Sequence, residues 1–332
     1  MACTRVLPVE RSHQRRRLFH GTHVLEKLHQ VCVLITAHQE VIKNALGNTT
    51  NKAYPWHEMW KSIRIWDISG QDVAKFDKVL DTPYDPKRLF EVKPPLKEEL
   101  EGTLHPVEST YRRQYKIPFR TEAALVSRLA ATFYNSLDRS LRFLAAYEEV
   151  FGQDEDWLPR NHHILYTEHG SSAQIIPNFE PDRAGVRRDA DIEKDMQPNR
   201  CPGEIKPSYK FRAAWIEQTI DDEIRRMRDG ITTECQKVCA QLRFYMKNCG
   251  CPEIQLGAKY GYILTDEEVV LARRRWERRL TGRGPEEVLE FTKPFKMRGA
   301  APGEWTAMMA VLYIHLLGGG PWHLTTDPSQ VD

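Results

Sequence analysis

Glu204 and Lys206 flank a single apolar residue, Ile205, in the stretch Gly203-Glu204-Ile205-Lys206-Pro207. On a strand, side chains two residues apart project from one face, so a carboxylate and an ammonium would stand side by side there. Such a pair can hold a divalent metal and steady a water. A second carboxylate lies upstream in Pro181-Asp182, and Asp189 and Asp191 are alternative acidic ligands nearer Glu204 in sequence. Phosphodiester hydrolysis needs one or two divalent metals held by carboxylates, a polarised phosphate and an activated water, and Asp182, Glu204 and Lys206 are groups of the types that supply these. Downstream, Gln241 and Tyr245 are four residues apart, so on a helix they share a face and could point at one strand edge. The same spacing suits plain packing, because Tyr245 also belongs to an apolar series.

Glu-x-Lys is a common pattern, and the chain carries its own control: Glu91-Val92-Lys93-Pro94, with Asp85-Pro86 before it, has the same local form. One of the two is a chance match or a non-catalytic repeat. The later copy is preferred for its setting, after a long helix and a strand pair and ahead of the Gln-x-x-x-Tyr helix.

Those elements are legible in the apolar spacing. Val24, Leu25, Leu28, Val31, Cys32, Ile35, Ile42 and Leu46 predict a first amphipathic helix over residues 22–46, ended by Gly47-Asn48. Thr121 is the expected N-cap of a second, running to about 151 through Leu125, Leu129, Phe133, Leu137, Leu141 and Leu144. Between 162 and 211, short apolar runs at 163–166 and 173–176, broken by Gly, Asn and Pro, read as strands and turns. A helix follows over 220–247, then a hairpin of 260–264 with 269–272, and a closing helix over 305–317 that stops at Gly318-Gly319-Gly320. This order predicts an α/β (α+β) architecture, a central mixed β-sheet flanked by helices, with a helical N-terminal extension. The expected division is a disordered basic N-terminus at 1–20, a helical or irregular accessory region at 21–118, the main domain at 119–320 and a tail at 321–332.

The order Pro-Asp, Glu-x-Lys, Gln-x-x-x-Tyr within residues 121–275 resembles the PD-(D/E)XK nuclease-like superfamily, and Gln-x-x-x-Tyr its RecB-like branch. The continuation Pro207-Ser208-Tyr209-Lys210-Phe211 is similar to nuclease-like domains of uncharacterised filamentous-fungal proteins. The resemblance implies a restriction-endonuclease-like core. It also implies Mg²⁺ or Mn²⁺ held by Asp182, Glu204 and the backbone carbonyl of Ile205, with Lys206 orienting or activating the water. Glu122 would complete the acidic site from its helix, a place the helix dipole alone also favours for a carboxylate. Gln241 and Tyr245 would support the site and face nucleic acid. Two departures are Glu180, charged where an apolar residue is usual before the Pro-Asp, and Arg200-Cys201-Pro202-Gly203, a poor lead into a buried strand. The implied function is a metal-dependent nuclease; the alternative is a catalytically inactive nuclease-fold binding or interaction module.

Composition constrains the partners. The 332 residues carry 48 Lys and Arg against 46 Asp and Glu, so whole-chain charge announces no polyanion and nucleic acid must be argued locally. Arg225, Arg226 and Arg228, and Arg273-Arg274-Arg275 with Arg278, Arg279 and Arg283, could contact phosphates, but a solvated helix face is the commoner outcome, and Glu267, Glu268, Glu277, Glu286 and Glu287 lie nearby. Arg15-Arg16-Arg17 reads as an import signal or a solvated terminus. Seven cysteines without a secretory leader favour free thiols and an intracellular, cytoplasmic or nuclear protein. Cys235, Cys239, Cys249 and Cys251 could converge on zinc but lack Cys-x-x-Cys pairs, so burial is the simpler reading. No apolar run approaches the roughly 20 residues that span a bilayer, and no hydrolase elbow, zincin or kinase motif is present.

Overall fold

The computed structural model of the chain describes residues 63–81, 121–138, 140–141, 163–173, 180–187, 197–217, 234–248, 257–278, 285–297, 304–320 and 323–324. The expected helix over 22–46, the Glu91 copy of the motif, Asp189, Asp191, Arg225 to Arg228, Cys249 and Cys251 lie outside the described residues. The strands are β1 (Ile63–Ile65), β2 (Tyr166–His169), β3 (Arg183–Val186), β4 (Gly203–Ile205), β5 (Gly257–Ala258), β6 (Tyr260–Leu264), β7 (Glu268–Arg278), β8 (Pro285–Phe291), β9 (Phe295–Lys296) and β10 (His323–Leu324). The helices are α1 (Gly70–Asp81), α2 (Glu122–Leu129), α3 (Glu234–Asn248) and α4 (Ala307–Gly319).

Eight strands make one mixed sheet in the order β1-β8-β7-β6-β4-β3-β2, with β9 added beside β7, while β5 and β10 pair separately. The fold is of the α/β class. Strands β2, β3 and β4 form an antiparallel succession, and α3 then carries the chain to β6, which runs parallel to β4. A parallel neighbour requires such a crossover, and a helix is the usual means. Next comes the expected hairpin, with Leu264 paired to Val269 at its tight end.

Strand alternation divides the core into two layers. Tyr262 and Leu264 face one way, where Leu125, Leu129 and Phe133 of α2 and its continuation meet Met308, Val311 and Leu312 of α4. Ile263 faces the other way, against Val238, Leu242 and Met246 of α3. Helix α4 is apolar around its whole circumference and is buried along nearly all its length. Thr121 caps α2, its side chain accepting the amide of Ala124 at 3.2 Å, as the Thr-initiated pattern requires.

Three expectations need correction. Of the 163–166 run, only Tyr166 is in a strand: Ile164 and Leu165 pack in the core, but the amide of His163 bonds the carbonyl of Gly319, tying this segment to the end of α4 instead of a strand neighbour. The region 21–118, expected as helical or irregular, also supplies a strand: β1 joins the main sheet beside β8, and Phe76 of α1 packs with Trp305 and Tyr313. The arginine run 273–275 lies on β7, not on a helix, and β8, which the apolar pattern did not reveal, supplies its opposing carboxylates.

Candidate metal centre

Gly203 starts β4 because nothing larger fits: a Cβ there would run into the ring and hydroxyl of Tyr262 on the neighbouring strand. The awkward Cys-Pro-Gly lead is thus the price of close strand packing, and the carbonyl of Pro202 accepts the amide of Tyr262. Ile205 points into the α2–α4 layer, fully buried. Alternation sends Glu204 and Lys206 the other way, and the amide of Lys206 keeps the pairing with Leu264 for one residue past the strand.

Asp182 reaches this pair from the turn before β3. Its Oδ2 accepts the backbone N–H of Ile205 at 2.8 Å, which fixes the carboxylate beside the Glu-x-Lys segment. The turn itself is held from α3: Tyr245 donates its hydroxyl to the carbonyl of Glu180 at 2.9 Å, and Gln241 Nε2 donates to that same hydroxyl at 3.2 Å. Gln241 and Tyr245 therefore share a helix face, one turn apart, but meet the Pro-Asp turn before β3 rather than a strand edge, Tyr245 directly and Gln241 through the Tyr245 hydroxyl. Glu122, in the first turn of α2, arrives from the opposite side, where the helix dipole favours a negative charge.

Carboxylate oxygens of Glu122, Asp182 and Glu204 all lie within 4.8 Å of one another, and this is the one group of metal-ligand type among the described residues. Lys206 Nζ sits between them, 2.6 Å from Glu204 Oε1 and 2.6 Å from Glu122 Oε1. A second ammonium is present that the motif reading did not single out. Lys210 Nζ holds the other oxygen of Glu122 at 2.8 Å. The only signal for it in the sequence is the turn-forming Pro207, whose carbonyl accepts the amide of Lys210 and folds the chain back.

Three acids against two bases leave one negative charge more than the lysines offset. Glu204 absorbs it: at 1 % exposure, burial outweighs the pull of Lys206 and, with the charge of Asp182 added, pushes its carboxyl up to about 8. Burial raises Asp182 as well, against Lys206 and the Ile205 amide. At Glu122 burial acts in the same direction, but Lys206 and Lys210 together overcome it and hold the carboxyl below its usual range. Lys206 is held protonated, since Glu204, Asp182 and Glu122 more than compensate for its burial. Lys206 contacts Oε1 of Glu204 at 2.6 Å, while the other oxygen, Oε2, is buried with no hydrogen-bond partner among the described residues.

A metal fits this donor set. Three carboxylates offer hard oxygen ligands, the preference of Mg²⁺ and Mn²⁺, and Glu204 Oε2, buried without a hydrogen-bond partner among the described residues, leaves bonding capacity unfilled on one of them. Glu122 is the acid that reaches solvent, its side chain 28 % exposed, whereas Glu204 is closed to solvent. Cys235 and Cys239 are free thiols buried in the α3 layer, with Cys239 raised by burial.

The basic run on β7 is taken up internally. Arg274 pairs with Glu287 at 2.9 Å and donates to the carbonyls of Met246 and Ala258; Arg273 and Arg275 share Glu290, each at 2.6 Å. Arg273 also lies over the Trp66 ring, 4.5 Å from its centroid. No family model, curated protein or solved structure matches this chain. Among the described residues, no helix is long and apolar enough to cross a membrane.

Proposed function

We propose that this chain is a metal-dependent nuclease-like protein of PD-(D/E)XK type that hydrolyses phosphodiester bonds in nucleic acid. The observation that carries the reading is the meeting of Glu122, Asp182 and Glu204 within 4.8 Å around the Lys206 ammonium. Three acids distant in sequence, on a helix, a turn and a strand, have no structural need to converge as like charges. Further support comes from the order α2, β2, β3, β4, α3, β6, a helix, three antiparallel strands, a helix and a parallel strand, an order compatible with the restriction-endonuclease-like core that the resemblance implies.

Bound by the three carboxylates, Mg²⁺ or Mn²⁺ would supply Lewis acidity toward a phosphate oxygen and lower the pKa of a water. The chain's own part is positioning. Asp182 is held to the Ile205 amide, so its ligand oxygen is preorganised, and Gln241 and Tyr245 secure the turn that carries it. Lys206, kept protonated by its neighbours, serves as a hydrogen-bond donor that orients the attacking water or offsets charge gathering on the phosphate, and does not take up a proton.

One observation favours the second reading, a nuclease-fold binding module without cleavage: Glu204 is closed to solvent and Lys206 already pairs two of the acids. Cleavage decides between them. Single- and double-stranded DNA and RNA are incubated with wild type or Glu204→Ala in Mg²⁺ or Mn²⁺. The nuclease reading expects products from at least one substrate with wild type and none with the variant. Binding without any cut would favour the module, and activity surviving Glu204→Ala would place the chemistry elsewhere.

A further inference from the structure

Lys210 belongs to the same centre but differs from Lys206 in three respects. Its side chain is 15 % exposed where that of Lys206 is 5 %. Among the described residues it touches Glu122 alone, through Oε2, whereas Lys206 also touches Glu204. It also stands on a loop whose outer side is open, with Tyr209 half-buried and Arg212 exposed on either flank of the buried Phe211. Lys206 is therefore the inner cation and Lys210 the one at the rim.

The loop is held firmly for a surface turn. Ser208 gives its amide and hydroxyl to the two oxygens of Asp266, at 2.6 and 3.0 Å, and the amide of Ala213 bonds Glu268 Oε1 at 2.6 Å. Asp266 lies in the β6–β7 turn and Glu268 opens β7, and Phe211 is anchored in the α3 layer. Glu122 thus has two ammonium partners, Lys206 on Oε1 and Lys210 on Oε2, more positive charge than one carboxylate needs. An ammonium fixed at the entrance of an acidic centre has a function when the incoming group is an anion. It offsets the repulsion between carboxylates and phosphate.

Building on the nuclease reading, we propose that Lys210 is a substrate-contacting residue that binds a backbone phosphate oxygen next to the metal centre. Its pairing with Glu122 is the resting position of the ammonium without substrate. When Glu122 turns to a divalent ion, Lys210 loses its carboxylate partner and is left facing the phosphate. The contact is to the backbone, so it confers affinity without base preference.

Binding of a fluorescent oligonucleotide is followed by anisotropy in Ca²⁺, which can occupy the carboxylates, over a series of salt concentrations. For Lys210→Ala, the expected outcome is roughly tenfold weaker binding and a log–log salt slope smaller by about 0.7 to 0.9, the loss of one phosphate contact. Lys210→Arg should restore both. The affinity for Mn²⁺, measured without oligonucleotide, should not fall in Lys210→Ala. Unchanged slope with intact wild-type binding would overturn this inference alone and leave the nuclease reading standing; so would a slope change that Arg does not rescue. Failure of wild type to bind any oligonucleotide would overturn both.

Discussion

Among the described residues, two buried networks of several charges are built in opposite ways. On β7 and β8, Arg243 and Arg274 flank Glu287 while Arg273 and Arg275 flank Glu290. Arginines outnumber acids, and Arg274 is further satisfied by two backbone carbonyls. Burial alone would raise Glu287, yet Arg274 and Arg243 hold its carboxyl down at about 2. At the other place, three acids share two lysines, the deepest acid is raised to about 8, and its second oxygen has no partner. A satisfied network consolidates the fold; an unsatisfied one of this sort is where a ligand is expected, since structure alone gives no reason to retain it.

This contrast has measurable consequences. The largest is on chemistry: Glu204→Ala should lower nucleic acid cleavage by about 10³-fold, the several kcal/mol that a correctly held metal contributes, while Glu287→Gln leaves turnover per folded molecule nearly unchanged. Next comes stability. Glu287→Ala leaves Arg274, 3 % exposed, without its carboxylate, and should destabilise the fold by roughly 3 to 5 kcal/mol in urea unfolding. Glu204→Gln should alter it by less than about 1 kcal/mol, or stabilise the metal-free protein, because it removes an unfavourable acid without changing shape. Equal losses in the two variants would erase the distinction.

The two acids should also bend the pH dependence of stability in opposite senses. Glu287 is lowered in the fold, so its contribution is complete above the ordinary value of 4.5 and is lost as pH falls through about 2. Glu204 is raised, so its contribution is complete below 4.5 and is lost as pH rises through about 8. Stability measured from pH 5 to 8, as the difference between Glu204→Gln and wild type, should therefore move in favour of the variant as pH rises. A flat difference would mean Glu204 titrates normally. The smallest effect is on the support: Tyr245→Phe removes the bond to the Glu180 carbonyl and should cost about 1 kcal/mol of stability, with a matching loss in metal affinity.

What the sequence revealed follows from the range of each signal. Glu204 and Lys206 were readable because strand alternation is a local rule, and Gln241 with Tyr245 because helical spacing is. Thr121 and Glu122 stood out as a cap and a first-turn acid. Asp182 could not be separated from Asp189 and Asp191 by spacing; what places it is a long-range bond to the Ile205 amide, 23 residues on. Lys210 had no pattern, since the turn at Pro207 and its anchor on Asp266 bring it to Glu122 across 88 residues. The arginines of β7 were misleading for the same reason: their partners Glu287 and Glu290 come from a strand recognisable only once paired, although the nearness of Glu277 and Glu287 did point to neutralisation.

Calorimetric titration with Mn²⁺ tests the metal centre most directly. At pH 7, wild type is expected to bind the ion with release of close to one proton, seen as a dependence of the heat on the buffer, because the Glu204 carboxyl must ionise to become a ligand. Affinity should rise by about tenfold per pH unit up to about 8 and then level off, and Glu204→Ala should abolish the heat. Absence of binding by wild type, or binding that persists unchanged in Glu204→Ala, would contradict a metal centre at Glu122, Asp182 and Glu204.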